Sequence, residues 1–306
     1  MNSTGFNISA QKQKKSYIYA FAAILFWSTV ATAFKIALKS FDYIQLLFYS
    51  NLTALTIFFI VLVIKKKIKD VFNCSLKQYL YSMLLGLLNP FAYYLILFKA
   101  YSLLPAQLAQ PLNMIWPVTL VLLSIPLLKQ KITFKNITAI VISFLGVVLI
   151  SMKGEFFNFS NVNLFGVFLA LFSSVVWSLF WILNVRDKRD EVVKLFLNFL
   201  FSLFLIIPYM LIFSKLIIPD KIDALSLLYI GTFEMGISFI FWLKAMKLTS
   251  SNDMISGLAY ISPFLSLIFI HFILGENIFI TTIIGLILIV TGILYQKINW
   301  KKKKSY

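Results

Sequence analysis

Residues 195–214 read LFLNFLFSLFLIIPYMLIFS, twenty positions without an acid or a base. A helix rising about 1.5 Å per residue needs about 20 apolar residues to cross a hydrocarbon core about 30 Å thick. This stretch therefore has the length and the composition of one membrane crossing. Similar runs lie at about 17–38, 43–64, 79–101, 106–128, 134–152, 163–184, 225–246, 254–274 and 278–296. Strands of a transmembrane barrel would alternate apolar and polar residues over about ten positions, whereas these runs are apolar on nearly every side. The expected fold class is all-α, a polytopic membrane protein with ten transmembrane helices.

Composition agrees. The chain is 60% hydrophobic and 13% charged, against about 25% charged in an ordinary soluble domain, and its mean hydropathy is +0.90. A water-soluble fold of 306 residues with so few charges would lack the polar exterior to cover itself.

The basic residues sort by loop. With the N-terminus inside, the cytoplasmic segments hold 21 of the 28 Lys and Arg, including Lys65, Lys66, Lys67, Arg186, Lys188, Arg189 and Lys301, while the outer loops hold only Lys39, Lys153, Lys215 and Lys221. Positive loops resist translocation, so both termini are expected in the cytoplasm. The formal net charge of +17 does not point to nucleic acid, because the basic residues recur at every second loop instead of forming one soluble face. Cys74, the single cysteine, has no disulfide partner in the chain. Lys14 and Lys15 before an apolar stretch reaching Ala31, Thr32 and Ala33 imitate a signal peptide; the apolar run continues past that point, so a retained helix is expected.

The chain repeats itself. Pro117 and Pro263, Gln130 and Glu276, and Gly146 and Gly292 are each 146 positions apart. Gly86 and Gly231, Asn89 and Glu234, and the Lys-Ala pairs at Lys99 and Lys244 are each 145 apart, and the Trp-Ser pairs at Trp27 and Trp177 are 150 apart. Two five-span repeats, 17–152 and 163–296, follow, flanked by a cytoplasmic tail at 1–16 and a basic tail at 297–306. Five is odd, so the second copy enters the membrane from the opposite side. Inverted repeats of this kind underlie alternating access to a shared central site.

Trp27 and Ser28 followed by Lys35, the pair Trp116 and Pro117, LLKQKI at Leu127–Ile132, LGEN at Leu274–Asn277 and the glycines Gly146, Gly285 and Gly292 resemble the EamA-type members of the drug/metabolite transporter superfamily over nearly the whole chain. WST at Trp27–Thr29, NMIWP at Asn113–Pro117 and YISP at Tyr260–Pro263 are similar to the branch that exports aromatic amino acids. The resemblance implies ten helices, a substrate cavity between the halves, and movement of a small metabolite, often export of amino acids or related compounds. The chain departs from the pattern at Ser28, where many members have Gly, and at Gln130, which replaces the acid retained as Glu276.

Ionisable side chains inside membrane helices cost about 2.5–3.5 kcal/mol on insertion scales and are functional by default. Glu234 lies about ten residues into its run and is the candidate for proton coupling or for accepting a substrate amine. A protonated acid that merely joins helices is the bland alternative. Asn89, its repeat counterpart, is expected at similar depth. Gln107, Gln110 and Asn113 recur at i, i+3 and i+6 and form a loosely polar stripe. With Trp116 and Tyr260 they are candidate substrate contacts, or else inter-helix hydrogen bonds and aromatic packing. Pro117 and Pro263 should bend the fourth and ninth helices. Lys99 and Lys244 are candidate gate charges or interface anchors, and Lys35 is expected to snorkel to the interface. His271 and Glu276 are expected to be structural, Glu276 as the cap of the tenth helix.

No metal or cofactor is expected: the lone His has no second ligand at useful spacing. Neither HExxH nor GxSxG occurs, which disfavours an intramembrane enzyme. The expected partners are a small-molecule substrate, the lipid bilayer and protons, in a monomer or a homodimer. Two Arg among 28 basic residues, with abundant Lys, Ile, Phe and Asn, match an AT-rich bacterial genome and hence the inner membrane as location.

Overall fold

The computed structural model describes residues 3–128, 134–152, 154, 162–184, 186–248 and 258–297. They are helical, with no strand among them. The helices are α1 (Ser3–Ala37), α2 (Tyr43–Ile64), a short α3 (Ile68–Phe72), α4 (Leu76–Gly86), α5 (Tyr93–Leu103), α6 (Ala106–Asn113), α7 (Trp116–Leu128), α8 (Phe134–Ser151), α9 (Leu164–Asn184), α10 (Glu191–Phe213), α11 (Lys221–Tyr229), α12 (Ile237–Leu248), α13 (Ser262–Leu274) and α14 (Ile280–Lys297). π-Helical turns at Leu87–Ala92 and Ile230–Gly236 join α4 to α5 and α11 to α12.

Among the described residues six helical stretches are long and apolar enough to cross a membrane, and three further apolar helices are shorter. The chain is a multi-pass membrane protein. Several of the ten expected runs are not single rods: those at 79–101 and 225–246 contain the turns at Leu87–Ala92 and Ile230–Gly236. The run at 106–128 breaks at Met114 and Ile115 between α6 and α7, and the one at 254–274 is described only from residue 258, as a 3-10 turn followed by α13.

Local chemistry sets the helix ends. The Asp42 carboxylate accepts from the amides of Ile44 and Gln45 while the Gln45 side chain returns a bond to the Asp42 amide, a capping box that starts α2. Ser75 and Gln78 do the same for α4. Asp190 caps α10 through the amides of Val192 and Val193. α13 stops at Gly275, whose φ of +70° suits a residue without a Cβ.

Long-range contacts set the packing. A Cβ on Gly146 would lie 2.5 Å from the Gly285 carbonyl oxygen, and one on Gly285 would lie 2.5 Å from that of Gly146, so α8 and α14 touch backbone to backbone. Further along, Gly292 meets the Ala139 carbonyl. The partner number falls as the α8 number rises, hence the two run antiparallel. α2 and α10 are antiparallel too: the Gln45 amide donates to the Lys215 carbonyl at one end, Asn51 donates to the Phe199 carbonyl at 3.2 Å in the middle, and Lys67 pairs with Asp190 at the other end.

Other contacts recur in exchanged form. α1 packs against α12, with Ser16 donating to the Ala245 carbonyl at 2.7 Å, and α9 packs against α5, with Tyr93 and Trp177 centroids 4.6 Å apart. Gly86 of α4 lies against Asn198 and Ser202 of α10, while its counterpart Gly231 lies against Ser50 and Thr53 of α2.

Candidate functional site

Asn89 and Glu234 occupy the two π-helical turns. At Asn89 the backbone leaves helical geometry altogether (φ −149°, ψ 121°), and Pro90, joined by a cis peptide bond, has no N–H to donate. A π-turn carries an extra residue in the helix and is often found at functional sites. Both side chains are interior, Asn89 at 0% and Glu234 at 7% relative exposure.

Their polar atoms are incompletely used. The Tyr94 hydroxyl donates to Oε1 of Glu234 at 3.1 Å, but among the described residues Oε2 has no hydrogen-bond partner, and neither polar side-chain atom of Asn89 has one. The same holds for Ser50 Oγ and Asn51 Oδ1 on α2, and for Asn198 and Ser202 Oγ on α10. α2 packs on the turn carrying Glu234 and α10 on the turn carrying Asn89. Buried polar groups are normally paired, so these unpartnered atoms, on segments that pack on one another, stand out among the described residues.

Aromatic side chains adjoin Glu234 through Tyr94. The rings of Tyr93 and Tyr94 meet edge to face at 4.7 Å, Tyr94 continues to Phe98 at 5.3 Å, and Trp177 contacts Tyr93, Trp181 and Phe239. Tyr93 donates to Asn113 Oδ1 at 3.3 Å, and Asn113 donates to Ser173 at 2.8 Å.

The stripe of Gln107, Gln110 and Asn113 is engaged in tethering. Gln110 accepts from Tyr101, Asn113 from Tyr93, and the Gln107 side chain donates to the Asn277 carbonyl at 2.8 Å and accepts from the Phe279 amide at 3.0 Å. Trp116 is half-buried, and its carbonyl accepts from Ser178 at 2.8 Å. In the other half Ser28 donates to Ser262 at 3.3 Å, so each Trp-Ser serine ties the first helix of its half to the start of α7 or α13. Tyr260 falls in the 3-10 turn Ala259–Ile261; its side chain and Gln130 lie outside the described residues.

Pro117 and Pro263 sit in the first turns of α7 and α13, where a missing N–H costs nothing; Pro117 follows the break at Met114 and Ile115, and Pro263 follows the 3-10 turn Ala259–Ile261. Two expectations are corrected. Glu276 does not cap the last helix. Its Oε1 and Oε2 accept from the amides of Ala106 and Gln107 at 2.9 and 3.2 Å and cap α6. The Lys35 ammonium does not snorkel freely but donates to the carbonyls of Tyr101 and Leu104 at 2.9 and 3.1 Å, in a cavity of about 560 Å3 that Gln107 and Glu276 also line.

Lys99 and Lys244 have their ammonium groups over the rings of Tyr43 and Tyr19, at 4.6 and 5.2 Å, within the range of a cation–π contact. His271 Nδ1 lies 3.0 Å from the Glu276 carbonyl. Among the described residues no group of three His, Cys, Asp or Glu side chains could hold a metal.

Sequence reading missed Tyr93 and Tyr94, and with them Asn51 and Asn198. The two asparagines carried a usable signal, being polar positions inside apolar runs 147 residues apart, close to the spacing of the other counterparts.

The family model described as the EamA-like transporter family matches residues 14–152 and 164–295. The chain belongs to that family. Among curated relatives of this EamA protein, an uncharacterized transporter of Archaeoglobus fulgidus is 22% identical over 91% of this chain and 97% of its own length. An uncharacterized transporter of Clostridium kluyveri is 29% identical over 58% of each chain, so the match spans a little over half of that relative. A crystal structure titled only as that of a protein superposes with a TM-score of 0.67 at 21% identity, covering 93% of the EamA chain and 96% of its own, a likeness of fold.

Proposed function

We propose that this membrane transporter is a secondary active carrier that exports amino acids or related small metabolites by alternating access, with its substrate at the buried polar groups of Glu234 and Asn89. One observation carries this reading: Glu234 and Asn89 stand 145 positions apart like the other paired residues, lie where the eighth and third runs depart from α-helical geometry, and leave buried polar atoms unpartnered among the described residues. Such atoms suit a ligand with both hydrogen-bond donors and acceptors. A carboxyl there can hold a coupling proton or take a substrate amine; the asparagine can serve the substrate's other end. Gln110, Asn113, Trp116 and Tyr260 are the proposed further substrate contacts, and Lys99 and Lys244 the proposed gate charges.

The antiparallel packing of α2 on α10 and of α8 on α14 supports two inverted halves, since each pair consists of counterparts in the repeat. Ten spans would put both termini on one side, and the lysine-rich loops support the cytoplasmic side of a bacterial inner membrane. The test is counterflow of labelled amino acids in proteoliposomes. Saturable exchange is expected in the wild type, and Glu234→Gln should keep membrane abundance while losing the response to an imposed pH gradient. Turnover driven as strongly by the pH gradient in Glu234→Gln as in the wild type would refute the coupling role.

A further inference from the structure

A second polar site lies far from the π-turns, where the loop between α9 and α10 meets the start of α4. Arg189 and Asp187 are paired there with the Arg189 Nη2 to Asp187 Oδ2 distance at 2.6 Å, both side chains being nearly buried. The same guanidinium donates to Ser82 of α4 at 2.7 Å, and Tyr81 donates to the Leu183 carbonyl at 2.8 Å. These bonds hold the loop rigidly on α4. Asp187 and Arg189 also neutralise each other, so the remaining charges of the site are uncompensated.

Those charges are three cations. Lys77, Arg186 and Lys188 line one open cavity of about 500 Å3 together with Gln78, Tyr81 and the Asp187–Arg189 pair itself, so three cations stand beside one carboxylate that Arg189 already holds, and none of the three forms a salt bridge among the described residues. Lys77 also stands in the first turn of α4, where the helix dipole adds positive potential. A bias of loops toward Lys and Arg explains basic residues on this side of the protein, but not their convergence on one cavity. Directly beside it, Leu76, Leu80, Leu84 and Leu87 form an exposed apolar stripe at i, i+4, i+8 and i+11, running from the cavity along the same helix. A free anion would use the cations alone. A lipid would use both features.

We propose that this cavity binds the phosphate of an anionic phospholipid from the adjacent leaflet, with an acyl chain lying along the leucine stripe of α4. Basic pockets at the cytoplasmic ends of membrane helices suit such headgroups. The proposal requires only that the chain spans a membrane and is independent of the transport reading.

The experiment titrates the delipidated full-length protein in detergent with short-chain phosphatidylglycerol, short-chain phosphatidylcholine or inorganic phosphate, and reads thermal shift and lipid retention by native mass spectrometry. Phosphatidylglycerol is expected to bind at least tenfold tighter than phosphatidylcholine, and millimolar inorganic phosphate should not displace it. The double variant Lys77→Gln/Lys188→Gln should weaken phosphatidylglycerol binding about tenfold or more, the equivalent of about 1.4 kcal/mol. The control Lys14→Gln/Lys69→Gln, which removes the same charge elsewhere, should change it less than twofold. Equal affinity for the two lipids, equal loss in the control, or displacement by inorganic phosphate would overturn the proposal, and the wild-type lipid selectivity decides it even if the variant fails to fold.

Discussion

The Tyr94 hydroxyl and the Glu234 carboxyl, 140 positions apart in sequence, share a hydrogen bond of 3.1 Å. Tyr94 stands just past the π-turn that holds Asn89, and Glu234 stands inside the other one. The bond therefore joins the two interruptions across the interior of the fold. A buried hydrogen bond to a carboxyl contributes about 1.5–3 kcal/mol when the acid is charged and about half that when it is neutral.

Removing the hydroxyl should be felt in binding before it is felt in folding. Tyr94→Phe keeps the ring against Tyr93 and Phe98 but leaves both Glu234 oxygens unpartnered. Substrate affinity in counterflow is expected to change by about tenfold, with a stability loss of about 1–2 kcal/mol. Unchanged affinity and unchanged pH response in proteoliposomes would exclude Tyr94 from the site.

The α8–α14 seam should tolerate no side chain. A Cβ at Gly146 or Gly285 would fall 2.5 Å from a carbonyl oxygen, far inside van der Waals contact. Gly146→Leu or Gly285→Leu should force the helices apart and cost about 1–3 kcal/mol, as overpacking does in other cores. Gly275 meets nothing within 4 Å but has positive φ, so Gly275→Ala should cost only the backbone strain, about 1 kcal/mol. Membrane abundance and thermal stability in detergent measure all three.

Acid should weaken the ends of α9 and α10. Desolvation raises the Asp187 and Asp190 carboxyls, but hydrogen bonds from Arg189 to the first, and from Lys67 with the Val192 and Val193 amides to the second, bring both below the ordinary carboxylate value. With the folded pKa depressed, the stabilisation is present above the unfolded value and is lost as pH falls through the folded one. Asp187→Asn and Asp190→Asn should each flatten the fall in thermal stability on acidification, as followed by tryptophan fluorescence in detergent. An unaltered slope in both variants would contradict the assignment.

The threading can be read with single thiols. A membrane-impermeant thiol reagent applied to intact cells should leave Cys74 unlabelled. In a Cys74→Ser background it should label Ser102→Cys and Ser214→Cys but not Lys188→Cys. Labelling of Lys188→Cys together with Ser214→Cys would rule out the alternating arrangement of the two halves.

The repeat and its chemistry were legible in part. Asn89 and Glu234 stood out because polar side chains are costly inside apolar runs, and their equal spacing with the glycines marked them as counterparts. Pro117 and Pro263 were recognised as interruptions, yet their placement in first turns depended on where the preceding helix stopped. Glu276 was assigned to the nearest helix in sequence, whereas it caps α6, about 170 residues earlier. Tyr93 and Tyr94 were indistinguishable from the chain's other aromatics, which make up 17% of its residues.

The membrane-spanning all-helical class followed from the amino-acid order alone, because solvation by lipid is a property of each segment's own composition and length. So did the internal equivalences, which are carried by spacing. Partner choice was decided only by the tertiary structure: that Tyr94 meets Glu234, that Lys35 ties to the carbonyls of Tyr101 and Leu104, and that Arg189 turns back on Asp187 in the cavity that Lys77, Arg186 and Lys188 also line. Apolar helices of similar composition can pack in many ways at similar cost, and the contact each polar group finds depends on backbone approach at sites such as Gly86, Gly146 and Gly231, which brings together residues that the sequence holds 60 to 230 positions apart.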